Sequence, residues 1–112
     1  MQYVRLYTGD DGESHFQDLV FSLEAIEKVS MNAEAELIFR RLPEGRFRDW
    51  HTTNRRHYGM VLSGRVAVGL GDGTVREFGP GDLILEEDLT ERGHTTRILA
   101  GPNAVATVSL PD

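Results

Sequence analysis

Short apolar segments separated by turn residues constrain the fold of this 112-residue chain most strongly. Residues 65–70 alternate, with Val66, Val68 and Leu70 on one face, as in a half-buried β-strand. Gly71-Asp72-Gly73 follows, and an Asp-Gly pair favours a hairpin because glycine accepts positive φ. Such segments recur every 8–12 residues or so, as in sandwiches and barrels. Long helical patterns between them are absent, so the sequence predicts an all-β fold and argues against a parallel sheet.

The predicted strands number about ten, each bounded by glycine, proline, asparagine or aspartate. The segment from Leu23 to Met31 is ambiguous, because Glu24, Glu27 and Lys28 would share one helical turn. Residues 86–93 are predicted as an acidic loop. The predicted strands are 2–7, 15–21, 35–42, 47–52, 57–62, 65–70, 74–78, 83–85, 94–99 and 104–110.

Composition predicts one domain spanning residues 1–112 and excludes several function classes. Cysteine is absent, which excludes disulfides and thiol catalysis. The chain carries 18 acidic and 12 basic residues, a net charge of −6, which disfavours nucleic acid as a partner. No apolar run approaches the roughly 18 residues of a membrane span. Residues 1–5 lack a signal-peptide pattern, so a cytoplasmic protein is expected.

Three of the four histidines, His51, His57 and His94, are candidates for a shared metal site. His51 and His57 have the same parity, so they would face one side of a continuous strand. A continuous strand would separate them by roughly 20 Å, whereas each ligand nitrogen lies about 2.1 Å from a shared ion. Both are therefore ligands only if residues 53–56 reverse the chain, and Asn54 favours a turn there. His94 would arrive from a third strand.

The residues around these histidines resemble the first conserved motif of the cupin superfamily, G-x5-H-x-H-x3-E-x6-G. The residues at the intervals of that motif are Gly45, His51, Thr53, His57 and Gly64. Gly79-Pro80-Gly81-Asp82 is similar to the start of the second motif, whose single histidine corresponds to His94. The resemblance covers residues 45–98. The chain looks like a small single-domain bacterial cupin of the conserved-barrel type, a group of largely unassigned function.

The resemblance implies a double-stranded β-helix, or jelly-roll barrel, and a divalent transition metal bound by His51, His57 and His94. Thr53 stands where the family has its second histidine, and His57 stands where it has glutamate. Three neutral imidazoles suit zinc, nickel, copper, iron or manganese and leave positions open for water or substrate. Replacing the glutamate makes the site more positive, which favours a small anionic, carboxylate-type ligand. The alternative is a pore lined by uncharged histidines without metal.

Other residues near the motif are candidates for catalysis or binding. Arg55 or Arg56 would bind a carboxylate in a bidentate manner, or both are solvated turn residues. Glu87 would act as a general base beside a metal-bound water, or belongs to a solvated acidic face. His15 lies outside the motif and is expected at the surface or at an interface. The residues expected to line the pocket are Thr53, Val61 and Thr96.

Three classes of function remain open at this point, because a fold alone does not define an activity. The first is a metal-dependent oxygenase, isomerase or lyase acting on a small acidic molecule. The second is a metal-free module that binds a small ligand, and the third is a structural or interaction protein. A homodimer is expected, since small cupins commonly pair and edge strands need cover. Residues 1–42 would pack on the barrel or on a partner subunit.

Overall fold

A computed structural model describes residues 1–20 and 35–110 of the chain. These residues form strands and turns only, so none of them belongs to a helix capable of crossing a membrane. The ambiguous segment 23–31 lies outside them. The eight strands are β1 (Tyr3–Thr8), β2 (Ser14–Asp18), β3 (Leu37–Leu42), β4 (Phe47–His51), β5 (His57–Gly69), β6 (Val75–Phe78), β7 (Leu83–Glu87) and β8 (His94–Ser109).

The strands pair into one open, mixed sheet with the order β2-β1-β7-β5-β8-β3. β4 pairs with β8 and β6 pairs with β5, away from this main path. β1 and β7 run parallel, and the other pairs are antiparallel. The all-β prediction is confirmed, as is the hairpin at residues 71–73, which joins β5 to β6 with Gly69 opposite Val75.

Two of the predicted strand breaks are wrong, which reduces ten predicted strands to eight. β5 continues through Ser63-Gly64, and β8 continues through Gly101-Pro102. The two strands stay paired through this region, and shifts of register between Val61 and Val66 accommodate the extra residues of β8. Gly64 has φ of +77°, and a Cβ at this position would collide with the carbonyl oxygen of Ala100. Glycine therefore marks a close approach inside a strand rather than its end.

The two long strands each pair with different neighbours along their length. The first part of β5, at His57–Met60, pairs with β7, and its last part, at 66–69, pairs with β6. The first part of β8 pairs with β4, and its second part pairs with β3. β5 and β8 thus connect two groups of strands, and one face of the curved sheet encloses the interior.

The hydrophobic core fills one side of this interior. Phe78, Val4 and Leu6 are fully buried there, and each such side chain contributes about 1.5–3 kcal/mol by leaving water. The other members of the cluster are Val61, Val66, Val68, Leu70, Ile84 and Ile98. A cavity occupies the other side, and Ile98 belongs to both because it also lines the cavity. The core and the cavity therefore adjoin at Ile98.

Candidate functional site

The cavity has a volume of about 490 Å³ and is lined mainly by β3, β4, β8 and residues 52–55 between β4 and β5. Ile38, Leu42 and Ile98 supply apolar walls. His51, His57, His94 and Glu86 also line it. A cavity of this size with a few convergent polar side chains is the usual form of a small-molecule site.

Two cross-strand pairs bring the three histidines and the glutamate together. His51 ends β4 and lies opposite His94, the first residue of β8. Their ring centroids are 4.4 Å apart. His57 begins β5 and lies opposite Glu86 of β7. The chain reverses between β4 and β5, as the sequence requires for His51 and His57 to meet.

A bulge in β4 sets the direction of the His51 side chain. The pairing of β4 with β8 shifts register between Arg48 and His51. On a regular strand residues three apart face opposite sides, but the extra residue of a bulge restores the same side. Arg48 and His51 accordingly line the same cavity. Trp50 points away and packs under the Arg92 guanidinium, whose central carbon lies 4.0 Å from the ring centroid.

The hydrogen bonds of the three histidines define which ring nitrogen carries the proton. The Nδ1–H of His51 donates to the Asp49 carbonyl over 2.7 Å, and that of His57 donates to the Arg55 carbonyl over 3.0 Å. A carbonyl oxygen only accepts, so Nδ1 must be the protonated nitrogen in both rings. In the neutral imidazole Nε2 then carries a lone pair, which is the form that binds metals.

Asp88 fixes the third histidine from a fully buried position. The Nδ1–H of His94 donates to Asp88 Oδ2 over 2.6 Å. The Ser14 hydroxyl donates to the same oxygen over 2.8 Å, and the Thr53 hydroxyl donates to Oδ1 over 2.8 Å. The Thr53 amide also donates to the Asp88 carbonyl over 3.0 Å. The three side-chain contacts occupy both carboxylate oxygens of Asp88, and because Nδ1 of His94 is used in one of them, Nε2 is the ring nitrogen directed away from Asp88.

Glu86 lies between His57 and His94. One carboxylate oxygen contacts Nε2 of His57, and the other lies 3.8 Å from Nε2 of His94. A neutral His57 would direct a lone pair at a carboxylate lone pair, which is repulsive. The contact therefore requires a proton between the two atoms.

The charges and burial of the site change the protonation of its members. Burial lowers the pKa of His57, but the hydrogen bond and charge of Glu86 outweigh it and raise that pKa above its ordinary value. Burial raises the pKa of Glu86, but His57 and then His94 outweigh it and lower that pKa. Burial lowers the pKa of His51, and the nearby His94 and Arg48 add to this. The site thus favours a neutral His51 beside a His57–Glu86 ion pair.

Gly93 allows the two histidine-bearing strands to meet. Its φ is +76°, and a Cβ there would collide with the carbonyl group of His51. His94 follows immediately and must lie against His51. Any side chain at Gly93 would therefore separate these two rings.

The described side chains are not arranged as a complete metal centre. Across residues 1–20 and 35–110, no group of three or more histidine, aspartate or glutamate side chains is arranged as a metal site. Ligands of one tetrahedral ion lie about 3.4 Å apart when each bond is about 2.1 Å. The 3.8 Å between Nε2 of His94 and Oε1 of Glu86 is slightly longer than this. The donor chemistry fits a divalent metal, and the side chains would have to move to bind one, since His57 and Glu86 are in direct contact.

The structure distributes the other sequence-predicted residues between the cavity and its surroundings. Thr53, Thr96 and Arg55 line the cavity. Val61 packs in the core at 4 % exposure. The remaining three, Arg56, Glu87 and His15, lie outside the cavity lining. Glu87 forms ion pairs with Arg5 and Arg56. His15 contacts Asp11.

Glu86 and Asp88 are the site residues that sequence reasoning did not single out. The loop predicted from residue 86 is wrong at its start, because β7 extends to Glu87. Alternation along β7 puts Glu86 on the same face as the buried Ile84, whereas Glu87 faces the other side. Continuing the alternation of Leu83-Ile84-Leu85 by two residues would have favoured Glu86. For Asp88 the sequence holds no comparable local signal.

The chain matches no protein-family profile, and no curated protein sequence matches it. Two solved structures share its fold. A protein of unknown function from Rhizobium leguminosarum bv. viciae 3841 is 22% identical, with a TM-score of 0.61 over 74% of this chain and 76% of that one. Protein NMB1881 from Neisseria meningitidis is 19% identical, with a TM-score of 0.52 over 78% of this chain and 91% of that one.

Proposed function

We propose that this chain is a small cupin-type barrel that binds one divalent transition metal through His51, His57 and His94, and holds a small anionic molecule beside it. The observation that carries the proposal is the shared hydrogen bonding of the three rings. Each donates its Nδ1–H outward to an oxygen, so loss of the proton that His57 shares with Glu86 would leave three Nε2 lone pairs at one cavity. Outer partners of this kind are typical of metal-binding histidines.

The pairing of β5 and β8 supports the barrel part of the proposal. Each strand pairs with one group of strands at its start and another at its end. Side chains from both groups line one cavity, so the sheet curves around its interior. The motif spacing from Gly45 to His94 is consistent with this arrangement.

Glu86 supplies the carboxylate that the motif lacks at residue 57. The two residues lie opposite each other on β5 and β7, so Glu86 reaches the cavity from the strand next to His57. It would serve as a fourth ligand or as the group that holds a proton near bound substrate. The metal, when bound, supplies a Lewis acid for a carboxylate or water oxygen.

Calorimetric titration with zinc tests the proposal on protein purified without a nickel column. We expect one ion per chain for the wild type and a loss of affinity of roughly 10- to 100-fold or more when His51, His57 or His94 is changed to Gln. His15→Gln is the matched control, since His15 contacts Asp11 outside the cavity. Equal zinc binding by the His94→Gln and His15→Gln proteins would overturn the proposal and favour a metal-free binding module.

We also propose that the chain forms a homodimer through β3. β3 is at the edge of the described sheet, and Leu37 and Phe39 on it are 56% and 67% exposed. Edge strands with apolar side chains favour pairing with another chain. Sedimentation equilibrium should give a dimer for the wild type and a weakened dimer for Phe39→Ser. A monomeric wild type would contradict this part.

A further inference from the structure

Two strands present arginine to the cavity and aromatic side chains to the outside. Along β3, Arg40 lines the cavity, whereas the neighbouring Phe39 is 67% exposed. Around β4, Arg46 and Arg48 line the cavity, whereas Phe47 between them is 45% exposed. At these positions the usual apolar-in and polar-out alternation of a half-buried strand is reversed, while Ile38 and Leu42 of β3 still line the cavity. Violations of this kind are typical of functional sites.

Five of the seven arginines outside the cavity lining have a carboxylate partner. Arg5, Arg56, Arg65, Arg76 and Arg92 each pair with a carboxylate. In the described ranges no salt bridge connects Arg40, Arg46 or Arg48, three arginines of the cavity lining, to a carboxylate. One of them donates a hydrogen bond to the Thr107 hydroxyl over 3.2 Å, which is a neutral partner.

The charge of the cavity is opposite to that of the chain. The chain has a net charge of −6, yet the described lining contains four arginines against one carboxylate, that of Glu86. Glu86 is itself engaged with His57. A cationic lining in an acidic protein concentrates anions and repels cations.

The strand register puts these arginines beside the histidines. Arg48 lies opposite Thr96, two residues along β8 from His94, the partner of His51. Two residues of a strand span about 6.6 Å. The Arg40 side chain bonds Thr107, again two residues along β8 from Ser109, which lies opposite His57. One short molecule can therefore contact both the arginines and the histidines.

We propose that Arg40, Arg46 and Arg48 form an anion subsite, and that the ligand of this cavity is a small dicarboxylate. One carboxylate binds the guanidinium groups, which match its two oxygens. The other faces the histidine cluster, an assignment that rests on the proposed metal site. The apolar side chains Ile38, Leu42 and Ile98 accommodate the short carbon chain between them.

Succinate and butyrate test the inference, because they share a four-carbon chain and differ by one carboxylate. Calorimetry on the zinc-loaded protein should give succinate an affinity at least about tenfold higher than that of butyrate, as expected for one charge-assisted contact. The double variant Arg40→Gln/Arg48→Gln should lose about tenfold in succinate affinity and retain its zinc affinity. Arg41→Gln, whose side chain does not line the cavity, is the matched control.

Equal affinities for succinate and butyrate, or an unchanged succinate affinity in the double variant, would overturn the inference. If the wild type binds no zinc, the proposed metal site fails, and the same comparison is made on the metal-free chain. Succinate binding that the double variant abolishes then still supports the arginine subsite, and binding that it leaves unchanged overturns it. Circular dichroism of each variant separates loss of binding from loss of folding.

Discussion

Asp88 and His94 form a buried pair in which the Nδ1–H of the imidazole donates to a carboxylate oxygen over 2.6 Å. Neither side chain is more than 3% exposed. Ser14 and Thr53 hold the carboxylate from other directions. The orientation of His94 is therefore determined by a group that does not itself line the cavity.

The first prediction concerns Asp88→Asn, which keeps the size of the side chain and removes its charge. An amide cannot accept from all three donors, so zinc affinity should fall by roughly 10- to 100-fold and stability by about 1–3 kcal/mol. Zinc competition titration and urea unfolding measure the two effects. Ser14→Ala is the control, because it removes one bond to Asp88 without touching His94. It should lower stability and leave zinc affinity unchanged, and equal zinc affinities in both variants would contradict the role of Asp88.

The second prediction concerns Glu86 and Glu87, which are adjacent and face opposite sides of β7. In Glu86→Gln the pKa of His57 should fall below that of the wild type, because burial remains while the charge that raises it is gone. Glu87→Gln should leave that pKa unchanged and should cost only the ion pairs with Arg5 and Arg56. Histidine titration by NMR on the metal-free protein measures both. A similar fall in the two variants would show that Glu86 is not the partner of His57.

Features that depend on neighbouring residues in the chain were predictable. Alternation over 65–70 and the Asp-Gly pair at 72–73 define a strand and a hairpin locally, and both are present. The continuation of β5 through Gly64 and of β8 through Pro102 was not predictable, because both are turn residues by type. Only the contact between the two strands shows that they are bulges.

The candidate site shows the same division. The three histidines and their meeting point follow from motif spacing and from the need for a chain reversal. The choice of Glu86 over Glu87 depends on how β7 pairs with β5, which is non-local. Arg48 and His51 face the same cavity because of a bulge against β8. No residue type within β4 indicates this bulge.

The third prediction is a pH dependence of opposite sign for metal-free stability and for metal binding. Because the folded pKa of His57 is raised above 6.5, its contribution is complete below that value and is lost as pH rises through the folded pKa. Because the folded pKa of Glu86 is lowered below 4.5, its contribution is complete above that value and is lost as pH falls through the folded pKa. Metal-free stability from this pair is thus greatest between pH 4.5 and 6.5.

Zinc affinity should instead rise as pH increases through the raised pKa of His57, because the ligand must lose its proton. Urea unfolding with chelator and zinc titration, each at about pH 5.5 and about pH 8, measure the two trends. The double variant His57→Gln/Glu86→Gln provides the reference for stability. Parallel trends in stability and zinc affinity would contradict the assignment of His57.

The fourth prediction compares two glycines with positive φ. Gly93→Ala should be the more damaging, because its Cβ would collide with the backbone of His51. Gly73→Ala has open space around its Cβ and should carry only the conformational cost of about 1–2 kcal/mol. Urea unfolding gives the stability difference, and zinc titration should show loss of binding for Gly93→Ala alone. Equal stabilities would mean that the β4–β8 contact is not tight.

Anomalous diffraction at the zinc edge, from a crystal of the zinc-loaded protein, tests the central claim most directly. We expect one peak per chain, about 2.1 Å from Nε2 of His51, His57 and His94. The Nδ1 atoms should still bond to Asp49, Arg55 and Asp88. The absence of a peak in this cavity, or a peak bound through Nδ1 or at His15, would contradict it.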